Sequence, residues 1–224
     1  MRMEEERVQK LQSKIRCVIY DCDGVLFDSF EANTKLYSDL CALVGRGPLS
    51  KEEMHYVHIH TVFEAIRFIF GRGTDLEKKA LEMLNERQVD LRNYVEYLKI
   101  EPHLFQTLEK LKEKGILRAI NTNRSTSMKH VIERFNLGPY FEMVVTALDV
   151  SNPKPHPESI EKIMEAFKLE KKEAVFIGDS EVDKQTAESS GVRFIAYKNR
   201  EIANDLFIED HLDLLDLILN HKAS

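Results

Sequence analysis

The chain has 224 residues, 43% of them hydrophobic and 31% charged, which is usual for a globular protein with one large domain or a core carrying an inserted unit. No stretch approaches the roughly 18 to 20 consecutive apolar residues of a membrane span, so the composition excludes a transmembrane protein. The formal charge of −6 and the scattered Lys and Arg exclude the basic surface of a nucleic-acid-binding protein and favour a small-molecule substrate.

The first residues alternate acids and bases and lack the apolar core of a signal peptide, so we expect a cytoplasmic protein. Within them, Glu4–Ser13 is predicted to form a short charged helix. Cys17, Cys22 and Cys41 are odd in number and form neither a C-x-x-C pair nor a zinc pattern. This cysteine usage indicates reduced thiols and argues against a disulfide framework.

Five short apolar runs, several of them rich in β-branched residues, predict buried strands. They are Cys17–Tyr20, Leu117–Ile120, Met143–Val145, Ala174–Ile177 and Val192–Ala196. The later runs alternate with segments of helical periodicity, which are Leu104–Lys114, Ser125–Phe135 and Pro157–Phe167. Alternation of strand and helix predicts an α/β fold with a Rossmann-like, doubly wound parallel sheet.

Between Ser29 and Ile100 this alternation stops, and helical segments follow one another. They are Glu31–Val44, Lys51–Phe70 and Leu76–Leu98, separated by glycines and a proline. We therefore expect residues 29–100 to form an all-helical cap domain, inserted into a Rossmann-like catalytic core of residues 1–28 and 101–224. Because the insert leaves the core just after the first strand, we expect it above the carboxyl edge of the sheet.

Polar side chains that could bind a ligand or take part in a reaction lie at the predicted strand ends. They are Asp21 and Asp23 after the first strand, Thr122 and Asn123 after the second, Lys154 between two prolines, and Asp179 and Asp183 after the fourth. Each has a simple structural explanation, as a turn, a helix cap or a surface charge. The first group could also be part of a calcium loop, but it lacks the further oxygen ligands of an EF-hand. Together they predict a ligand site at the carboxyl edge of the sheet.

In this order the motifs resemble those of the haloacid dehalogenase superfamily. The likeness is to its phosphatase branch with a helical cap after the first motif, which includes phosphoglycolate phosphatases and β-phosphoglucomutases. The most specific motifs are D-x-D-G-V-L-x-D-S at Asp21–Ser29 and G-D-S-x-x-D at Gly178–Asp183. The resemblance extends from about Cys17 to Tyr197.

The resemblance implies a role for each motif residue. Asp21 would be the nucleophile and Asp23 the general acid and base, with its carboxylate free and its backbone carbonyl facing the metal. Thr122 and Lys154 would hold the phosphoryl group, as could the amide of Asn123. A Mg²⁺ ion would be held by four residues, which are Asp21, Asp23, Asp179 and Asp183.

General chemistry is consistent with these roles. Phosphate monoesters resist hydrolysis largely because an anion must approach an anion, so the site must neutralise charge. Mg²⁺ prefers carboxylate oxygens, and Lys154 would add a positive charge opposite to it. Asp23 could act as acid and base if its pKa is raised toward the working pH.

In the predicted cap, the segment Met54–Thr61 concentrates three histidines. A metal site is one interpretation, but an H-x-H pattern lacks a third ligand and partners that orient the rings. The others are substrate contact through His58, His60 and Thr61, and polar residues on an outer surface. Arg124 could bind a substrate anion or be an exposed arginine of a first helical turn.

The function predicted is hydrolysis of a small phosphorylated metabolite, with neither nucleic acid nor membrane as partner. A phosphosugar mutase is the alternative, because the motifs do not decide whether water or a sugar accepts the phosphoryl group. A non-catalytic binding protein is disfavoured because every motif position is filled. A true dehalogenase is disfavoured by the acid at Asp23. The sequence carries no signal for an oligomeric state.

Overall fold

The computed structural model describes residues 15–86 and 88–219, so the predicted helix Glu4–Ser13 lies outside the described residues. Its strands are β1 (Cys17–Tyr20), β2 (Phe27–Asp28), β3 (Lys99–Ile100), β4 (Leu117–Asn121), β5 (Met143–Val145), β6 (Ala174–Gly178), β7 (Arg193–Tyr197) and β8 (Phe207–Ile208). Six of them form a parallel sheet of order β5-β4-β1-β6-β7-β8. The predicted Rossmann-like parallel sheet is confirmed, with β1 near its centre.

The helices are α1 (Phe30–Val44), α2 (Lys51–Ile59), α3 (Val62–Phe70), α4 (Asp75–Asn85), α5 (Leu104–Glu113), α6 (Met128–Arg134), α7 (Glu158–Phe167), α8 (Glu181–Ser190) and α9 (His211–Leu219). Short 3₁₀ helices cover Leu91–Tyr97, Lys171–Glu173 and Arg200–Ile202. No helix within the described ranges is both long and apolar enough to cross a membrane.

Helices cover both faces of the sheet, and β1 is fully buried as a result. Val18 and Tyr20 belong to an apolar cluster with residues of α5, α6 and α9. Cys17 and Ile19 belong to a second cluster, with residues of α7 and α8. Alternate side chains of a strand point to opposite faces, so an uninterrupted apolar run is what a doubly covered strand requires.

The segment with α1 to α4 leaves and rejoins the rest of the chain at one place. Phe27 of β2 pairs with Ile100 of β3 in a short antiparallel ladder, so the outgoing and returning chains lie side by side. Between these strands the helices bury an apolar cluster of their own, which includes Leu40, Ile66 and Phe70. This segment therefore has its own packed interior.

Several predicted boundaries were wrong. The stretch Lys51–Phe70 forms two helices, because Thr61 and Glu64 make a capping box that starts a new helix at Val62. The stretch Leu76–Leu98 likewise ends as α4 and resumes as a 3₁₀ helix after Asp90, whose carboxylate accepts from Arg92 N at 2.9 Å. The short strands β2, β3 and β8 and the final helix α9 were not predicted.

Candidate active site

The polar residues of the predicted motifs meet at one edge of the sheet. Asp21 follows β1, Thr122 follows β4 and Asp179 follows β6, and these three strands are adjacent and parallel. Backbone hydrogen bonds continue past the strands, from Asp21 N to the carbonyl of Ile177 at 2.9 Å. The end of the sheet thus fixes the backbone positions of three motif residues.

The loop after β1 is a tight turn that requires glycine at position 24. Gly24 has a φ of +74° and donates its N–H to the carbonyl of Phe27 at 2.8 Å. A Cβ at this position would lie 1.9 Å from Oδ2 of Asp179. The missing side chain therefore lets Asp179 approach the loop that carries Asp21 and Asp23.

Lys154 connects the buried carboxylates of Asp21 and Asp183. Its Nζ donates to Oδ1 of Asp21 at 2.7 Å and to Oδ1 of Asp183 at 2.6 Å. Asp21 and Lys154 are each 6% exposed, and Asp183 is completely buried. Although burial alone would lower the pKa of Lys154, the two carboxylates raise it, so the ammonium stays charged.

Asp183 is also fixed from its own helix. Ser180 is the N-cap of α8, and its hydroxyl donates to Oδ2 of Asp183 at 2.6 Å. The backbone leaves room for this carboxylate because residue 178 is glycine, whose added Cβ would lie 2.3 Å from that of Asp183. The G-D-S-x-x-D motif thus supplies polar groups and also, through its glycine, the space that the Asp183 side chain needs.

Asp21, Asp179 and Asp183 form an oxygen cluster suited to a hard divalent cation. Each offers one carboxylate oxygen, and these oxygens lie within 4.8 Å of one another. Burial and repulsion by Asp183 raise the pKa of Asp21 to about 7 despite Lys154, and burial with the neighbouring carboxylates raises that of Asp179 well above its usual range. The excess negative charge and the donor set fit Mg²⁺.

Asp23 is not free, contrary to the expectation from sequence. Arg124 binds it with both branches of the guanidinium, from Nε to Oδ2 at 2.7 Å and from Nη2 to Oδ1 at 2.6 Å. Burial opposes ionisation, but this ion pair outweighs it and lowers the pKa of Asp23. The expected rise of the Asp23 pKa is therefore wrong for this conformation, and Arg124, with a side chain only 12% exposed, is not a surface residue.

Thr122 and Asn123 lie beside this pair, on the loop between β4 and α6. The Thr122 hydroxyl accepts a hydrogen bond from Arg124 N at 3.0 Å. The Asn123 amide donates to the carbonyl of Lys154 at 3.2 Å, and its Oδ1 is buried without a partner among the described residues. Both residues line the same cavity as Asp21.

That cavity, of about 80 Å³, lies between the strand ends and the helical segment. Its floor is the polar set just described, with Lys154, Asp21, Asp23 and Asp179. Its roof is largely apolar and comes from α1, from α2 and the turn into α3, and from the 3₁₀ helix after Asp90. The roof residues are Ala32, Asn33, Leu36, Tyr37, Val57, His58, His60, Val62, Leu91 and Tyr94. A small molecule in the cavity would touch both parts of the chain.

Two of the three predicted cap contacts reach this cavity. His58 lines it, receives a hydrogen bond at Nδ1 from Asn33 Nδ2 at 3.2 Å, and has its pKa lowered by burial. His60 also lines it and stacks on Tyr56 with ring centres 3.6 Å apart. Thr61 does not line it, because its hydroxyl is engaged with Glu64 in the cap of α3.

Asn33 and Tyr37 are cavity residues that sequence reasoning missed. Both lie on α1, which the sequence predicted, but no spacing rule relates them to the ends of β4 and β6, which are more than 80 residues away in the chain. Their one available signal was polarity on a helix that directly follows the first motif.

Comparison with known proteins agrees with this geometry. A sequence model of haloacid dehalogenase-like hydrolases matches residues 18–197. A solved HAD-superfamily hydrolase of subfamily IA, variant 1, from Geobacter sulfurreducens is 38% identical and superposes with a TM-score of 0.79, over 91% of this chain and 100% of that one. These matches confirm the predicted resemblance.

Two curated relatives are named phosphatases. A phosphoglycolate phosphatase of Rhodobacter capsulatus is 28% identical, over 80% of this chain and 83% of that protein. A pyrophosphatase, PpaX, of Halalkalibacterium halodurans is 29% identical, over 92% of this chain and 97% of that protein.

Proposed function

The chain belongs to the haloacid dehalogenase-like hydrolase family, and from that premise we propose that it is a magnesium-dependent phosphatase with Asp21 as the nucleophile. The observation that carries the proposal is the Asp21 carboxylate, buried at the cavity floor with Lys154 Nζ at 2.7 Å and two further carboxylates beside it. The relatives named phosphoglycolate phosphatase and pyrophosphatase support hydrolysis over the mutase alternative.

Asp21 has one oxygen available for attack. Lys154 binds Oδ1, and no donor to Oδ2 is found among the described residues. In the first step this oxygen would bond to phosphorus while the bond from phosphorus to the leaving oxygen breaks, giving an aspartyl phosphate. In the second step water would attack the same phosphorus, releasing phosphate and restoring the Asp21 carboxylate.

Asp23 would move the protons of both steps. Because Asp23 is ionised beside Arg124, it would first take up a proton from solvent. It would donate this proton to the leaving oxygen, and the resulting carboxylate would then take one from the attacking water. Because Arg124 occupies both oxygens of Asp23, at least one of these hydrogen bonds must open before Asp23 can donate. The ion pair therefore describes a resting arrangement of the acid and base.

Lys154, Thr122 and Asn123 would bind the transferring phosphoryl group. The Lys154 ammonium is buried and charged, and it can shift from its carboxylate partners to a phosphoryl oxygen. The Thr122 hydroxyl and the Asn123 amide provide neutral polar contacts on the same floor. Held by Asp21, Asp179 and Asp183, with the Asp23 carbonyl as a further expected ligand, Mg²⁺ would neutralise negative charge on the phosphoryl oxygens.

We also propose that residues 29–100 act as a cap domain over a core of residues 1–28 and 101–224. Their separate apolar cluster and the side-by-side entry and exit at β2 and β3 support this division. The mostly apolar roof would contact the leaving group, and closure would limit the access of water. The predicted substrate contacts of His58 and His60, and the cytoplasmic location, stay predictions.

The test is phosphate release from a panel of small phosphate esters in Mg²⁺, with the Asp21→Asn variant alongside. We expect the wild type to hydrolyse at least one ester and the variant to be inactive yet folded, since the amide has nearly the same shape but cannot act as the nucleophile. Asp75→Asn is a matched control, because that carboxylate is fully exposed. Variant activity within about tenfold of the wild type would refute the role of Asp21.

A further inference from the structure

The Arg124 guanidinium has binding capacity that Asp23 does not use. Of its five N–H groups, Nε and one on Nη2 bind Asp23, and one on Nη1 reaches the Ser127 hydroxyl at 3.4 Å. Two N–H groups thus have no partner among the described residues. The side chain lines the cavity and is only 12% exposed, so an anion bound there would be shielded from water.

Arg124 is also the cation best placed for a group beyond the phosphoryl position. The other Lys or Arg among the described cavity residues is Lys154, which contacts Asp21 and Asp183 at the proposed reaction centre. A second negative charge on a substrate would therefore be bound by Arg124.

The cap contributes a donor to the same cavity. The Asn33 amide nitrogen donates to Nδ1 of His58, so this ring nitrogen is the acceptor and Nε2 carries the hydrogen. Nε2 is buried and has no partner among the described residues. Stacking on Phe30, with ring centres 4.7 Å apart, restrains the ring. A buried donor without a partner costs stability unless a ligand satisfies it.

We propose that the substrate carries a second anionic group on its leaving side, a carboxylate or a second phosphate, bound by Arg124 from the core and His58 from the cap. The proposal rests on the proposed phosphatase function and names its substrate class. Arg124 and His58 both line the cavity of about 80 Å³. An anion on the two unused N–H groups would share the charge of Arg124 with Asp23 and weaken at least one Asp23 hydrogen bond. The released carboxylate oxygen could then take up a proton from solvent and donate it to the leaving oxygen. Binding of the substrate's second anionic group would thereby make Asp23 available as the general acid and base.

The test compares substrates of equal shape and different charge. Phosphate release is measured from 2-phosphoglycolate and from its neutral amide, with pyrophosphate to distinguish a second phosphate from a carboxylate. An aryl phosphate independently reports the proposed phosphatase activity. We expect kcat/KM for 2-phosphoglycolate, for pyrophosphate or for both to exceed kcat/KM for the amide by about tenfold to hundredfold. This is the scale of a charge-assisted hydrogen bond.

Variants then assign this preference to Arg124. In Arg124→Gln the ratio between charged and amide substrates should fall to within about threefold, and Arg124→Lys should keep part of it because the charge remains. Lys129→Gln, which removes an exposed cation from the next helix, should keep the full ratio. Thermal unfolding of each variant verifies that it is folded.

Two results would overturn the inference. In the wild type, the amide could be hydrolysed as efficiently as both charged substrates. In Arg124→Gln, rates could fall equally on all substrates with the ratio unchanged, which would show that Arg124 only positions Asp23. If neither the aryl phosphate nor the other substrates are hydrolysed, the proposed phosphatase function itself fails. If the aryl phosphate is hydrolysed but the charged substrates are not preferred over the amide, only this inference is rejected.

Discussion

Substitution of Gly24 by alanine tests whether the approach of Asp179 to the first loop matters for metal binding. The new Cβ would lie 1.9 Å from Oδ2 and 2.4 Å from Cγ of Asp179, whereas ordinary contact begins at 3.4 Å. The carboxylate must therefore move by about 1.5 Å. Metal–ligand distances tolerate only about 0.2 Å, so the displaced oxygen would no longer be a ligand.

Two effects of this substitution can be separated. A φ of +74° is unfavourable for alanine by roughly 1 to 2 kcal/mol, which lowers the free energy of unfolding. Gly45 has a similar φ of +79°, but an added Cβ there would meet nothing within 4 Å. Gly45→Ala therefore carries the backbone strain without the collision, and any further loss in Gly24→Ala reports on Asp179.

The assay is phosphate release as a function of Mg²⁺ concentration, together with urea unfolding of both variants. We expect a comparable loss of stability in the two, and an increase of about tenfold to hundredfold in the Mg²⁺ concentration for half-maximal activity in Gly24→Ala alone. An unchanged Mg²⁺ requirement in Gly24→Ala would refute the reasoning, because it would mean that Asp179 is not needed where the structure places it.

Three further outcomes are expected. Asp23→Asn should lower kcat by at least ~10²-fold, most for poor leaving groups; equal losses across leaving groups would indicate a structural role. His211 is buried, donates from Nε2 to the Val25 carbonyl at 2.9 Å, and has its pKa lowered from 6.5 mainly by burial. Below about pH 6.5 the unfolded chain therefore binds a proton that the folded chain does not, so the unfolding free energy should fall toward pH 5, and by less in His211→Gln. Thr61→Ala should lower the free energy of unfolding by about 1 kcal/mol, because the helix cap is lost. It should leave the kcat/KM ratio between metabolite and aryl phosphates unchanged, and an altered ratio would indicate that Thr61 contacts the substrate.

The sheet could be predicted from sequence because its strands are buried on both faces. Cys17–Tyr20 and Met143–Val145 match the prediction at both ends, and the other three predicted strands differ by a residue or so. The strands β2 and β3 were missed because each is only two residues long, too short to show a periodic pattern. Their pairing also depends on the fold of the whole insert, which brings its two ends together. The break before Val62 had a sequence signal, the T-x-x-E capping box, that the apolar periodicity around it obscured.

The site was predictable to the extent that it follows from strand ends. Parallel neighbours must bring Asp21, Thr122 and Asp179 to one edge, whatever the loops do. The pairing of Asp23 with Arg124 could not be found in this way, because the two residues are 101 positions apart and their contact depends on how the loop after β4 folds over the loop after β1. Sequence reasoning identified the groups, and tertiary packing decided which charges meet.

The charges that meet do not balance, and this imbalance bears on the metal. Four carboxylates, those of Asp21, Asp23, Asp179 and Asp183, face two cations, Lys154 and Arg124. Asp23 is neutralised by its own arginine, so its pKa falls, while the pKa values of Asp21 and Asp179 rise because three carboxylates share one ammonium. The deficit of two positive charges is therefore located at the oxygen cluster and not at Asp23. A divalent cation there would supply the missing charge at Asp21, the proposed nucleophile, and would leave Arg124 for Asp23 and for the proposed second anion of the substrate.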